Sequence, residues 1–170
     1  MYTIESFQRI PGTEEAVEAV RRMAEHPEGW LILQGPRGCG KTHLLTALCR
    51  LLGFNRQWPW QCALLLDYWR SRYDVGDFEV VFRAHLVTSL FPLDDLGAER
   101  PTEWAVERLT MFLDYRYARQ LPTVITTNLN EEEMAQKLGS RIADRVFDTG
   151  TGLCRIVTMD VPSFRTGRKW

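Results

Sequence analysis

The segment Gly35-Pro36-Arg37-Gly38-Cys39-Gly40-Lys41-Thr42 sets two glycines, a lysine and a hydroxyl residue at the spacing GxxxxGK[ST]. Glycines at these positions let backbone N–H groups converge on a polyphosphate. Lys41 then reaches the β- and γ-phosphates, and the Thr42 hydroxyl is offered to Mg²⁺. Farther along, Leu90-Phe91-Pro92-Leu93-Asp94-Asp95 is an apolar run closed by two acids. A first carboxylate at such a strand end can hold Mg²⁺ through water, and a second can orient an attacking water. Thr126-Thr127-Asn128 closes a third apolar run with a polar tip. Asn128 there can polarise the lytic water or, more plainly, cap the helix that follows.

These residues need a scaffold that brings three chain segments to one edge. Trp30-Leu31-Ile32-Leu33 is a short apolar run suited to a buried parallel strand. Glu14 to Glu25 reads as a helix with Thr13 as its cap, and Thr42 to Leu52 as another, stopped by Gly53. Cys62 to Leu66 fits either a strand or the start of a helix running through Asp67-Tyr68-Trp69-Arg70. Leu86 to Leu93 is the next apolar run, and Pro101 opens a helix continued from Trp104 to Arg119. Thr123 to Thr127 is β-branched and predicts a strand; Glu131 to Leu138 predicts a helix; Ile156 to Met159 predicts a last strand. Strands alternating with helices imply right-handed crossovers, a mainly parallel sheet and one α/β domain over residues 1–170. Pro92 is awkward in this scheme, because it removes a ladder donor where the strand should be central.

Composition narrows the setting. The 170 residues are 45% apolar and 25% charged, which excludes disorder and suits a packed core. No run approaches a membrane span, and Met1-Tyr2-Thr3-Ile4-Glu5 does not open a signal peptide. Four cysteines without CxxC spacing fit a reduced, cytoplasmic protein. The formal charge of −1 excludes a global basic field, although 18 of the 21 positive residues are arginines.

The words between the motifs add a resemblance. Leu65-Leu66-Asp67-Tyr68-Trp69-Arg70, Leu93-Asp94-Asp95-Leu96-Gly97-Ala98-Glu99, Thr102-Glu103-Trp104, Asp114-Tyr115-Arg116-Tyr117 and Leu121 to Leu129 resemble the AAA+ domain of bacterial replicative helicase loaders (DnaC/DnaI-like). They are similar also to the IstB-like transposition ATPases, and the likeness covers nearly the whole chain. It implies a P-loop NTPase three-layer fold with a mainly parallel five-stranded sheet and a reduced or absent lid. It implies ATP and Mg²⁺ as cofactors, with Gly35 to Thr42 and the adjoining His43 on the nucleotide and Thr42 with Asp94 on the metal. Asn128 resembles the sensor 1 residue. Arg145, with Arg141 as second choice, resembles the arginine finger supplied to a neighbour, and Arg165 of Ser163-Phe164-Arg165 resembles the sensor 2 contact. The implied partners are ATP or ADP, single-stranded DNA, a replicative helicase or a transposase, and further copies of the chain in a ring or spiral, with no membrane. Such loaders usually carry an N-terminal helicase-contacting domain, for which these 170 residues leave no room, so either the chain is an excised domain or it does not dock a helicase in the usual way.

DNA-binding chemistry would use arginine for phosphate and aromatics for base stacking. Tyr68, Trp69, Arg70, Arg72 and Tyr73 offer that mixture, but Trp69 and Tyr73 at i and i+4 equally suit core packing. Cys39, beside a helix N-terminus, predicts a thiol whose alkylation blocks nucleotide binding. His26, His43 and His85 lack partners at metal-ligand spacing and read as structural, and Trp58-Pro59-Trp60 reads as a packed turn. Two other classes stay open at this point: a small-molecule P-loop kinase, and a nucleotide-sensing module with little turnover.

Overall fold

Among the described residues, five short strands are interspersed with seven helices. The computed structural model describes residues 2–7, 11–54, 59–98 and 100–163. Their order is α1 (Glu14–Glu25), β1 (Trp30–Gln34), α2 (Lys41–Leu51), β2 (Trp60–Gln61), α3 (Cys62–Val75), α4 (Phe78–Leu86) and β3 (Phe91–Leu96). Then come α5 (Glu103–Ala118), β4 (Thr123–Thr127), α6 (Glu131–Leu138), α7 (Ser140–Val146) and β5 (Cys154–Thr158). The strands form one sheet in the order β2-β3-β4-β1-β5, every neighbouring pair parallel.

Side-chain alternation along β1 divides the core. Trp30 and Ile32 join Phe91, Leu93 and Ile125 on the face covered by α3 to α7. Leu31 and Leu33 join Val124 and Val157 on the face covered by α1 and α2. A strand buried on both faces has no polar side to show, which is why Trp30 to Leu33 is uniformly apolar.

Several expected elements shift. Cys62 to Leu66 takes the helical of its two readings and opens α3, while β2 begins at Trp60, the last residue of the expected turn. The run from Leu86 to Leu93 is divided: Leu86 ends α4 and Phe91 begins β3. Thr13 stands at the N-cap of α1 without a side-chain capping bond; the Gly12 N–H instead donates to Glu14 Oε2 at 2.8 Å. Pro92 is accommodated without breaking β3. The Phe91 N–H donates to Pro122 O toward β4, so the nitrogen of Pro92 faces the β2 side. There β2 supplies only Trp60 and Gln61, which pair with Leu93 and Asp94. The missing donor falls beyond the end of an edge strand, where it costs no ladder bond.

Candidate nucleotide site

In an open parallel sheet, the crevice at the carboxyl ends of the strands collects ligands. Here β1, β3 and β4 end side by side, in Gly35, Asp94-Asp95 and Asn128. The loop after β1 is confined by what lies on it. A Cβ at Gly35 would stand 2.4 Å from Met159 O, and one at Gly38 would stand 2.1 Å from Ser163 Oγ. The chain beyond β5 therefore runs against the phosphate loop, and only glycine fits beneath it.

Lys41 is 6% exposed. Its Nζ donates to Gly35 O and Pro36 O, both at 2.8 Å, and to Asn128 Oδ1 at 2.7 Å. Asn128 passes the connection on, its Nδ2 donating to Asp95 Oδ1 at 3.0 Å. The plain capping reading of Asn128 fails because Asn130 takes that role: its side chain accepts from the Glu133 N–H, and Glu133 reaches back in a capping box.

Asp94 is 1% exposed. Its Oδ1 accepts from Thr126 Oγ1 at 2.6 Å and from Thr42 Oγ1 at 3.1 Å. Burial pushes its carboxyl above the usual carboxylate range, against the pull of those two hydroxyls. The strand changes register between Leu93 and Leu96, and Asp95 there adopts φ 61°. That left-handed turn costs a non-glycine residue, though aspartate less than most. It is held by the Asp95 N–H bond to Thr126 Oγ1 at 2.8 Å. The irregularity lets successive carboxylates serve one site instead of opposite faces of the sheet.

The hard oxygen donors of Asp94 and Thr42 suit Mg²⁺, which takes one or two protein oxygens and completes its shell with phosphate and water. No group of three His, Cys, Asp or Glu able to hold a metal occurs among the described residues.

Other predicted residues are placed less simply. Pro36 and Arg37 are exposed in the loop. Cys39 is fully buried, with Sγ 3.6 Å from Lys41 Nζ, so the expected alkylation lacks an accessible thiol. His43 turns to the N-terminal segment: its Nε2 lies 2.9 Å from Thr3 O and its ring meets the edges of Tyr2 and Phe7. Arg141 and Arg145 both pair with Asp114 in their own chain. Arg165 lies outside the described residues.

The proposed DNA surface needs correction. Trp69 is fully buried, with Nε1 donating to His85 Nδ1 at 2.8 Å and its ring against Phe82 and Phe112. It is a core residue and cannot stack on a base. Tyr68 is half-buried on Trp60, and Arg72 is tied to Asp77. Arg70 is exposed over the Trp104 ring, and Tyr73 stacks on Phe78 while remaining 46% exposed.

Sequence reasoning missed two residues. Thr126 bonds to both acids; its place two residues before Asn128, on the same face of β4, was the available signal. Gln34 joins strand ends, donating to Leu129 O at 2.9 Å and accepting from Thr158 Oγ1 at 3.3 Å. A cleft of about 860 Å³ near Arg22, His26, Tyr117 and Arg155 opens where β1 and β5 begin, away from all of these groups.

A parallel sheet ordered β2-β3-β4-β1-β5, with a phosphate loop after β1 and polar tips on β3 and β4, is the α/β fold of AAA+ P-loop domains. The crystal structure of the DnaC helicase loader superposes with a TM-score of 0.77 at 21% identity, covering 94% of this chain and 97% of that one. The replication initiator DnaA bound to AMPPCP and single-stranded DNA gives 0.79 at 17% identity, over 95% and 50%. A family model described as IstB-like ATP binding protein matches residues 21–170, and the chain belongs to that family. Among curated proteins, the Escherichia coli (strain K12) replicative helicase loader DnaC is 26% identical over 143 residues, 79% of this chain and 58% of that protein. Bacillus subtilis (strain 168) YqaM is 34% identical over 128 residues, 66% of this chain and 39% of that protein. The chain thus spans about two fifths to three fifths of these relatives' length. Among the described residues, no helix is long and apolar enough to cross a membrane.

Proposed function

We propose that this chain is an ATP-hydrolysing AAA+ module that helps to place a replicative helicase on single-stranded DNA. The observation that carries the reading is the continuous network Lys41–Asn128–Asp95, joined through Thr126 to Asp94 and Thr42, at three adjacent strand ends. A kinase for small acceptors has no need of the Asn128 link. The similarity to DnaC supplies the biological direction.

In this reading the loop amides and Lys41 hold the triphosphate, Lys41 exchanging its carbonyl partners for phosphate oxygens. Thr42 and Asp94 hold Mg²⁺, which when bound supplies positive charge against the β- and γ-phosphates. Asp95 takes up the proton side of the attacking water, and Asn128 fixes the direction of that carboxylate. An arginine from a neighbouring copy, Arg145 or Arg141, meets the charge that develops on the γ-phosphoryl group. The 170 residues then act as one module whose turnover depends on assembly. Arg70 and Tyr73 are the residues left to meet DNA on α3.

Phosphate release measured across protein concentrations, with and without single-stranded DNA, tests this. We expect slow turnover in dilute protein, rising with concentration or with DNA. Arg145→Ala should keep ATP binding and lose the stimulated rate by on the order of 10³-fold. A rate that is flat in concentration and equal in the mutant overturns the trans arginine. The matched family model favours a second reading, an ATPase that regulates transposition. Binding to a replicative helicase compared with binding to a transposase separates the two.

A further inference from the structure

Asp114 on α5 faces two arginines one turn apart on α7. Its Oδ2 lies 2.6 Å from Arg141 Nε in an ion pair, and its Oδ1 accepts from Arg145 Nε at 3.0 Å. Each carboxylate oxygen thus faces one guanidinium, and in both the nearest nitrogen is Nε. Arg145 is further fixed over the Tyr117 ring, 4.6 Å from its centroid, and Tyr117 is bonded to Asp148.

Tying α5 to α7 would require only one of these pairs. Arg145, with a side chain 35% exposed, is the suitable one. The Arg141 side chain is 69% exposed, where an ion pair returns about 0–1 kcal/mol and must offset the ordering of a long side chain. A second arginine held at that cost makes sense if its orientation is used.

We infer that Asp114 is a positioning residue that sets Arg141 and Arg145 as a preformed pair for the nucleotide phosphates of a neighbouring copy of this chain. The inference rests on the trans-arginine reading above and deepens it. Two arginines ordered before docking lose less freedom when the neighbour arrives, and they meet the phosphates from a fixed direction. Asp114 touches no nucleotide itself; it acts through the two side chains that it holds.

Asp114→Asn keeps the size of the side chain and removes its charge. In assembled protein, the stimulated rate at saturating ATP should fall about 10²-fold. The KM, and ATP binding in dilute protein, should stay unchanged, and Asp114→Glu should recover most of the rate. A mixing experiment then isolates the trans effect. Asp114→Asn chains retain their own Asp95, while Asp95→Asn chains retain a correctly held arginine pair. An equal mixture should hydrolyse ATP at about a quarter of the wild-type rate, the share of random interfaces that join one good site to one good pair.

An unchanged rate in Asp114→Asn, or a mixture no faster than its components, overturns the inference. Loss of ATP binding in both the Asn and Glu variants assigns Asp114 to folding and overturns it as well. If Arg141→Ala and Arg145→Ala both keep the stimulated rate, the trans-arginine reading itself falls. If either of them loses the rate while Asp114→Asn does not, only the positioning role falls.

Discussion

Asp94 is a carboxylate kept dry at a cost. Burial disfavours its charged form, and Asp95 next to it adds to that effect, so the ligand-free chain carries an electrostatic penalty at neutral pH. The hydroxyls of Thr42 and Thr126 both donate to Oδ1, an acceptor that asparagine also has. Asp94→Asn should therefore raise the stability of the ligand-free protein, on the order of 1 kcal/mol, while abolishing Mg²⁺-dependent hydrolysis. Chemical denaturation alongside phosphate release checks both halves. Lys41, Thr42, Asp94, Asp95 and Asn128 were legible in the sequence because each sits in a contiguous word at a strand end. Thr126 was visible only as part of a β-branched run, since its partners come from β3. Asp114 was less legible still: its role depends on two arginines brought to it by the packing of α5 on α7. Trp69 shows the opposite difficulty. Aromatics and arginines alternate along α3, and sequence spacing does not say which of them face the sheet.

Among the elements, α4, β2 and α7 were the hardest to foresee. The two residues of β2 carry no periodicity, and α4 begins with β-branched and aromatic residues that suit either structure. Gly139, at φ 96°, ends α6 where expected, and α7 starts again directly after it. What fixes α4 is a residue of α5. Arg116 is fully buried without a carboxylate, and burial lowers its pKa to about 10. Nη1 donates to Leu86 O at 3.0 Å and Thr88 O at 2.8 Å, with His85 O at 3.4 Å. Nη2 donates to Pro122 O at 2.6 Å, and Nε to Thr123 Oγ1 at 3.0 Å. The last carbonyls of a helix carry partial negative charge and lack partners of their own, so they solvate the cation. Arg116 thereby joins the end of α4 to the starts of β3 and β4. Arg116→Met should cost at least about 4 kcal/mol, because several buried acceptors are left unsatisfied. A shift of the urea midpoint measures it, and a loss below about 1 kcal/mol would show that water replaces the guanidinium.

At the scale of the whole molecule, two groups set opposing pH trends. Burial depresses His85 from 6.5 to about 4, and its Nδ1 accepts from Trp69 while neutral. The unfolded chain takes up this proton first as pH falls, so the contribution of His85 is complete above about pH 6.5 and is lost toward pH 4. Asp94 acts in the other direction: its raised pKa means that acid relieves its penalty. Stability of the wild type should decline from pH 6.5 to 4, and His85→Gln should flatten that decline. Urea midpoints at half-unit pH steps read the difference; parallel slopes would remove His85 as the cause. The sheet order has a further consequence, during synthesis. β1 emerges well before its partners, which are residues 123–127 and 154–158. While the ribosome makes the intervening chain, β1 lacks both of its neighbouring strands, and its apolar residues have the helices to lie against. The centre of the sheet closes only when β5 leaves the tunnel, so the phosphate loop is translated well before the strands that give it its final shape.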